Sequence, residues 1–126
     1  SKTDSDMRKI YKTHEAERQY KRIFKETAKR FGKRVALQTL MQLKEVEERL
    51  ASDQVYGRFD PEYYSERFEF VTIKNSQTII FERIDNDIII VAAGWSGRNW
   101  KERLEEMQPY IDRQLNKLKR LKHSDR

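Results

Sequence analysis

The sequence predicts an α+β domain in which an N-terminal strand and an antiparallel two-helix hairpin pack on a three-stranded antiparallel meander, followed by a C-terminal helix. Apolar residues recur at three- and four-residue spacing in two adjoining stretches, Ala16 to Phe31 and Val35 to Leu50, and again from Trp100 onward. Between Glu66 and Ala93 the pattern changes to alternation and then to a continuous apolar run, as strands require. At 126 residues the chain is sized for one core. Although 38% of residues are charged and 37% hydrophobic, the apolar ones gather in periodic runs, which separates the chain from a disordered polyelectrolyte and implies a thin core.

Residues 1–6 read as a polar leader. Met7 to Lys12 places Ile10 and Tyr11 among basic residues and reads as a short edge strand, where lysine guards an open edge. Thr13 offers an N-cap, with Glu15 and Glu17 in the first turn. The stripe Ala16, Tyr20, Ile23, Phe24, Ala28 and Phe31 then runs to Gly32, a helix-ending residue. Val35, Ala36, Leu40, Leu43, Val46 and Leu50 mark a second helix to about Ala51, and so short a link folds the two antiparallel. Residues 52–65, with Gly57, Pro61 and three tyrosines, read as a structured crossing loop.

Glu66 to Lys74 sets Phe68 and Phe70 against Arg67 and Glu69, the pattern of a strand with one wet face. Asn75, Ser76 and Gln77 turn the chain, Thr78 to Ile84 returns, and Asp85, Asn86 and Asp87 turn it again. Ile88 to Ala93 is apolar throughout, as a strand buried on both faces would be. After Gly94 to Asn99, a helical stripe of Trp100, Leu104, Met107, Ile111, Leu115, Leu118 and Leu121 follows, with Pro109 predicted to kink the helix or start a second one. An apolar stripe on a basic helix calls for a partner surface.

No cysteine is present, which removes disulfides, thiolate metal sites and a cysteine nucleophile, and fits a reducing cytosol. The longest apolar run is far too short to span a bilayer, so a soluble cytoplasmic protein without membrane contact is expected. Glycine-rich phosphate loops, HExxH, EF-hand and GxSxG patterns are missing, so neither metal nor cofactor is expected. The net charge of +6 is uneven: residues 1–34 carry twelve Lys/Arg against five acids, 35–112 nine against fifteen, and 113–126 six against one. Basic ends that meet would attract phosphates or an acidic protein, and solvated helix faces are the competing reading.

Metal-free RNA cleavage needs basic side chains at the scissile phosphate and a general base at the 2′-hydroxyl. Of Arg58, Arg67, Lys74, Arg83 and Arg98, strand parity singles out Arg67 and Arg83, and Arg98 completes the candidate catalytic set, with Glu66 or His14 as base. The competing reading pairs Arg67 and Arg83 with Glu69 and Glu82. Trp95 and Trp100 flank Arg98 and have the chemistry to stack a base, anchor a partner or cap a core. Lys101, Lys117, Lys119, Arg120 and Lys122 form the candidate binding set on the terminal helix.

The segments "IYKTHEAERQYKRIFKETAKRFG" and "FEFVTIKNSQTIIFERIDNDIIIVAAGW", in the order strand, helix, helix, loop and three strands, resemble the RelE/ParE superfamily of bacterial toxins over about residues 8–100. The resemblance frames residues 7–100 as the toxin-like domain and 101–126 as a basic helical extension. It implies a ribosome-associated endoribonuclease acting on RNA in one branch, a gyrase inhibitor in another, and an acidic antitoxin partner. That nuclease branch carries basic residues on its middle strands and a Lys/Arg-rich stretch with a late Tyr or His. Here Gly94 to Trp100 holds Arg98 as its one charge, and Gln77 and Thr78 open the second strand. The sequence therefore leaves three readings: a metal-independent endoribonuclease, a non-catalytic module or inhibitor binding through basic helices, and a homodimer paired through the C-terminal helix.

Overall fold

The computed structural model describes residues 7–74 and 76–124, with side chains described as far as position 121. The polar leader, Asn75 and the side chain of Lys122 lie outside the described residues. The elements are β1 (Ile10–Lys12), α1 (His14–Phe31), α2 (Lys33–Ala51), β2 (Arg58–Asp60), β3 (Ser65–Ile73), β4 (Gln77–Ile84), β5 (Asp87–Trp95) and α3 (Trp100–Ser124).

Thr13 starts α1 as expected. Its Oγ1 accepts from the Ala16 amide at 3.2 Å and donates to the Val91 carbonyl at 3.3 Å, so one hydroxyl both caps the helix and ties it to β5. Gly32 ends α1 at φ 92°, where a Cβ would be strained, and α2 begins at the next residue. The hairpin is thus as short as the sequence implied.

The expected meander forms the centre of a five-stranded mixed sheet, ordered β1-β5-β4-β3-β2. β3, β4 and β5 pair antiparallel, whereas β1 runs parallel to β5, with Ile10 opposite Ile88. β2 lies inside the stretch that the sequence marks as a crossing loop. It is three residues long with two of them exposed, and its register against β3 shifts between Arg58 and Asp60, so no alternation announced it.

Each face of the sheet buries its own core. On one, Ala16, Ile23, Leu43 and Leu50 of the hairpin meet Ile79, Phe81, Ile88, Ile90 and Ala93. On the other, Trp100, Leu104, Ile111 and Leu115 of α3 meet Phe68, Phe70, Ile80, Ile89, Val91 and Ala92. β5 is consequently buried on both sides, as its unbroken apolar run required. The partner that the α3 stripe called for is the sheet of the same chain.

Pro109 does not end α3. The helix continues for 25 residues with the proline exposed, because Leu104 before it and Ile111 after it are both held in the second core. Part of the N-terminal positive charge is neutralised by the acidic middle, through Arg8 to Asp53 at 2.8 Å and Lys12 to Glu47 at 3.2 Å.

Candidate functional site

The three arginines expected to act together are split by the sheet. Arg67 binds Glu82 at 3.1 Å and Asp112 of α3 at 2.7 Å, and its guanidinium lies over the Phe68 ring, on the α3 side. Burial works to lower its pKa, but hydrogen bonds to Glu82 and Asp112 outweigh it and the net direction is upward. Arg83 binds Glu69 at 3.0 Å and lies against Phe81 and Tyr56, on the hairpin side. Simple alternation misplaced Arg67 because Ser65 Oγ accepts from both the Arg67 and Phe68 amides, which distorts the start of β3.

The proposed bases do not join them. His14 opens α1, where its amide donates to Gln114 of α3, while the Arg98 loop sits beside the last turns of the same helix. Glu66 is exposed on β3. Among the described residues no group of three or more His, Cys, Asp or Glu is placed to hold a metal ion, and no helix is long and apolar enough to cross a membrane.

Arg98 stands on a loop that is held from several sides. The Ser96 amide donates to Ser76 at 2.9 Å, the Arg98 amide to Trp95 at 3.2 Å, and the Trp100 amide to Arg98 at 2.8 Å. The Trp100 indole is 1% exposed and donates from Nε1 to the Trp95 carbonyl at 2.9 Å, so Trp100 is a core residue and not a contact surface. Trp95 is 58% exposed, and its ring packs down on Gly97, where a Cβ would come within 2.5 Å of it. Among the described residues the Arg98 guanidinium makes no ion pair or hydrogen bond.

Arg98 borders two openings. One is a groove of about 640 Å³ formed with Arg58, Glu62, Tyr63, Tyr64 and Phe70. Tyr64 stacks on Phe70 with centroids 3.9 Å apart, and the Arg58 guanidinium covers Phe70 at 5.2 Å, so the groove has an aromatic floor and two cations, with the Asp60 and Glu62 carboxylates also on its lining. The other, of about 360 Å³, lies between α1 and the end of β5. Of the expected helix contacts, Lys101 is tied by its ammonium to the Pro61 carbonyl, and Lys117, Lys119 and Arg120 are exposed further along α3.

A third, apolar groove of about 650 Å³ runs between α1 and α2, over Tyr20, Phe24, Leu37 and Leu40. Lys21 and Lys25 rim it without a carboxylate partner among the described residues. Burial, with the nearby Glu47 carboxylate, pushes the Tyr20 phenol pKa up, so the floor stays uncharged.

The structure superposes over part of its length on a chain of the chromosomal ParDE TA system from P. aeruginosa. The TM-score is 0.59 at 18% identity, covering 71% of this chain and 97% of that one. The chain has a RelE/ParE-like fold. The solution structure of the conserved hypothetical protein HP0894 from Helicobacter pylori aligns at 16% identity over 71% of this chain and 94% of its own, with a TM-score of 0.44. No protein-family model and no curated protein matches the sequence.

Trp95 and Arg98, which the sequence marks by their proximity, lie at the end of β5 and on the loop that follows it, beside neighbours that the sequence does not single out. Arg58 is among the five candidate phosphate-binding residues but strand parity passes over it, and Tyr63 and Tyr64 fall in the stretch that reads as a crossing loop. Only their clustering around Gly57 and Pro61 hinted at a shaped surface.

Proposed function

We propose that this protein is a RelE/ParE-like toxin, or derived from one, that acts in the cytoplasm by gripping single-stranded RNA, free or on the ribosome, in the Arg58–Arg98 groove. The observation that carries the reading is two arginines with no carboxylate partner among the described residues beside exposed and stacked aromatics. Single strands are held in this way, with phosphates on cations and bases on aromatic faces. Tyr63, 65% exposed, offers such a face.

Binding without cleavage is the simpler outcome, since Arg67 and Arg83 are already committed to carboxylates. Glu62 supports metal-independent endoribonuclease action as the second reading, because its carboxylate borders the same groove as the two free guanidiniums. It would take the proton from a ribose 2′-hydroxyl while the 2′-oxygen attacks the adjacent phosphorus and the 5′-oxygen departs.

Fluorescence anisotropy with a labelled RNA pentanucleotide tests both. Arg58→Ala and Arg98→Ala should each weaken binding about tenfold and lower the salt slope by about one. Unchanged affinity in both variants would remove the groove from function. If the RNA is also cut, Glu62→Gln should stop cleavage and leave affinity alone. An uncut pentanucleotide leaves the binding reading.

The neighbour from the ParDE TA system also supports a protein partner. An acidic antitoxin helix fits the α1–α2 groove, with apolar side chains on Phe24 and Leu37 and carboxylates on Lys21 and Lys25. Leu37→Glu should then abolish co-purification with an acidic protein encoded beside this one, and retained co-purification would move the partner elsewhere.

A further inference from the structure

We propose that the pocket between the last turns of α1 and the end of β5 is a nucleotide site, taking a phosphate among Arg22, Arg30 and Arg98 and a base on Trp95. Its volume of about 360 Å³ lies at the small end of ligand cavities, roughly 300–1,000 Å³, which suits a mononucleotide and is too small for a helix or duplex.

The charges around it are poised and unspent. Glu26 lies one helical turn from both Arg22 and Arg30, where ion pairs ordinarily form along a helix. Neither pair forms among the described residues, and all three side chains line the pocket together with Arg98. Three guanidiniums against one carboxylate favour an anion, and guanidinium forks suit phosphate oxygens.

The remaining features suit a base. Trp95 presents a large exposed indole whose position is fixed by packing on Gly97 and by the hydrogen-bonded loop, so stacking needs little further ordering. Gln77 lines this pocket, and its Oε1 is buried without a hydrogen-bond partner among the described residues. An acceptor left in that state is costly, and a base N–H would satisfy it. The Glu26 carboxylate is a second acceptor, and guanine presents adjacent N–H donors.

This inference goes beyond the RNA groove, which lies on the other side of the Arg98 loop, and stands without it. The phosphate-bearing nucleotide has two sources, a free nucleotide or the phosphorylated end of an RNA whose chain continues past Arg98. Tryptophan fluorescence and calorimetry on the full chain separate them, using GMP, guanosine, inorganic phosphate, and an RNA pentanucleotide with and without a 5′-phosphate.

GMP should quench emission, and Trp95→Phe should remove the change. Guanosine and inorganic phosphate should each bind at least about tenfold more weakly than GMP, and Arg22→Ala or Arg30→Ala should each cost GMP about tenfold. Both arginines are exposed, so these variants should melt with the parent. Comparable affinity for GMP and the phosphorylated RNA supports the site with a free nucleotide as ligand. A tenfold preference for the phosphorylated RNA over GMP and over the hydroxyl RNA supports it with a strand end as ligand. GMP affinity unmoved in Arg22→Ala and Arg30→Ala, or inorganic phosphate binding as well as GMP, overturns it. Loss of RNA binding in Arg58→Ala with GMP affinity intact is expected, and a pentanucleotide that never binds while GMP does would sink the groove reading alone.

Discussion

Arg67 and Arg98 are the same side chain under opposite constraints. Arg67 holds Glu82 and Asp112 across the strand–helix junction, so its loss leaves two partly buried carboxylates without their counterion. Because these groups remain partly solvated, Arg67→Ala should destabilise by about 1–2 kcal/mol, read as a lower Tm. Arg98 breaks no pair among the described residues, and Arg98→Ala should leave the melt within about 0.5 kcal/mol of the parent. Equal melts for the two variants would mean that the Arg67 pairs contribute nothing. The sequence showed both residues as basic groups near aromatics, and it correctly offered Glu82 as a competitor for the strand arginines. It did not show that Asp112, 45 positions away, folds back to hold Arg67, because a long-range ion pair leaves no periodic trace. Arg22 and Arg30 were hidden for a related reason. A basic helix face reads as solvated until the strand end it lies beside is known.

At the scale of elements, legibility followed local chemistry. The hairpin could be read because Thr13, Gly32 and two apolar stripes act within a few residues of each other. β2 and the parallel seating of β1 on β5 could not, since three-residue strands are chosen by the sheet that receives them. Of the two outcomes that Pro109 signalled, a kink or a second helix, the second helix does not form. The intrinsic cost of the proline is real, but burial of Leu104, Ile111 and Leu115 outweighs it and carries α3 through. Two substitutions separate these terms. Ile111→Ala should destabilise by about 2–5 kcal/mol through lost burial and a cavity. Pro109→Ala should stabilise, by up to about 3 kcal/mol, with an unchanged fold. Denaturant titration reads both, and a destabilised Pro109→Ala would show that the proline shapes the helix to the sheet.

Across the whole molecule, the uneven charge seen in the sequence survives folding only in part. Arg8 and Lys12 are neutralised by Asp53 and Glu47, whereas Lys117, Lys119 and Arg120 remain exposed near the far end of α3. The helix rises about 1.5 Å per residue, so these cations lie roughly 25 Å from the Arg98 loop at its start. At physiological ionic strength fields decay over about 8 Å, and the distal cluster is therefore screened from anything bound at that loop. The terminal cations belong to the candidate binding set on charge alone, because a string of residues shows how many charges there are and not how far apart they stand. With a pentanucleotide and a salt series, Lys117→Gln, Lys119→Gln and Arg120→Gln combined should change affinity less than about twofold and leave the slope intact, while Arg58→Ala with Arg98→Ala should lower the slope by about two. The reverse result would place the strand along α3, since only cations that touch phosphate release counterions, and the Arg58–Arg98 groove would then be a bystander.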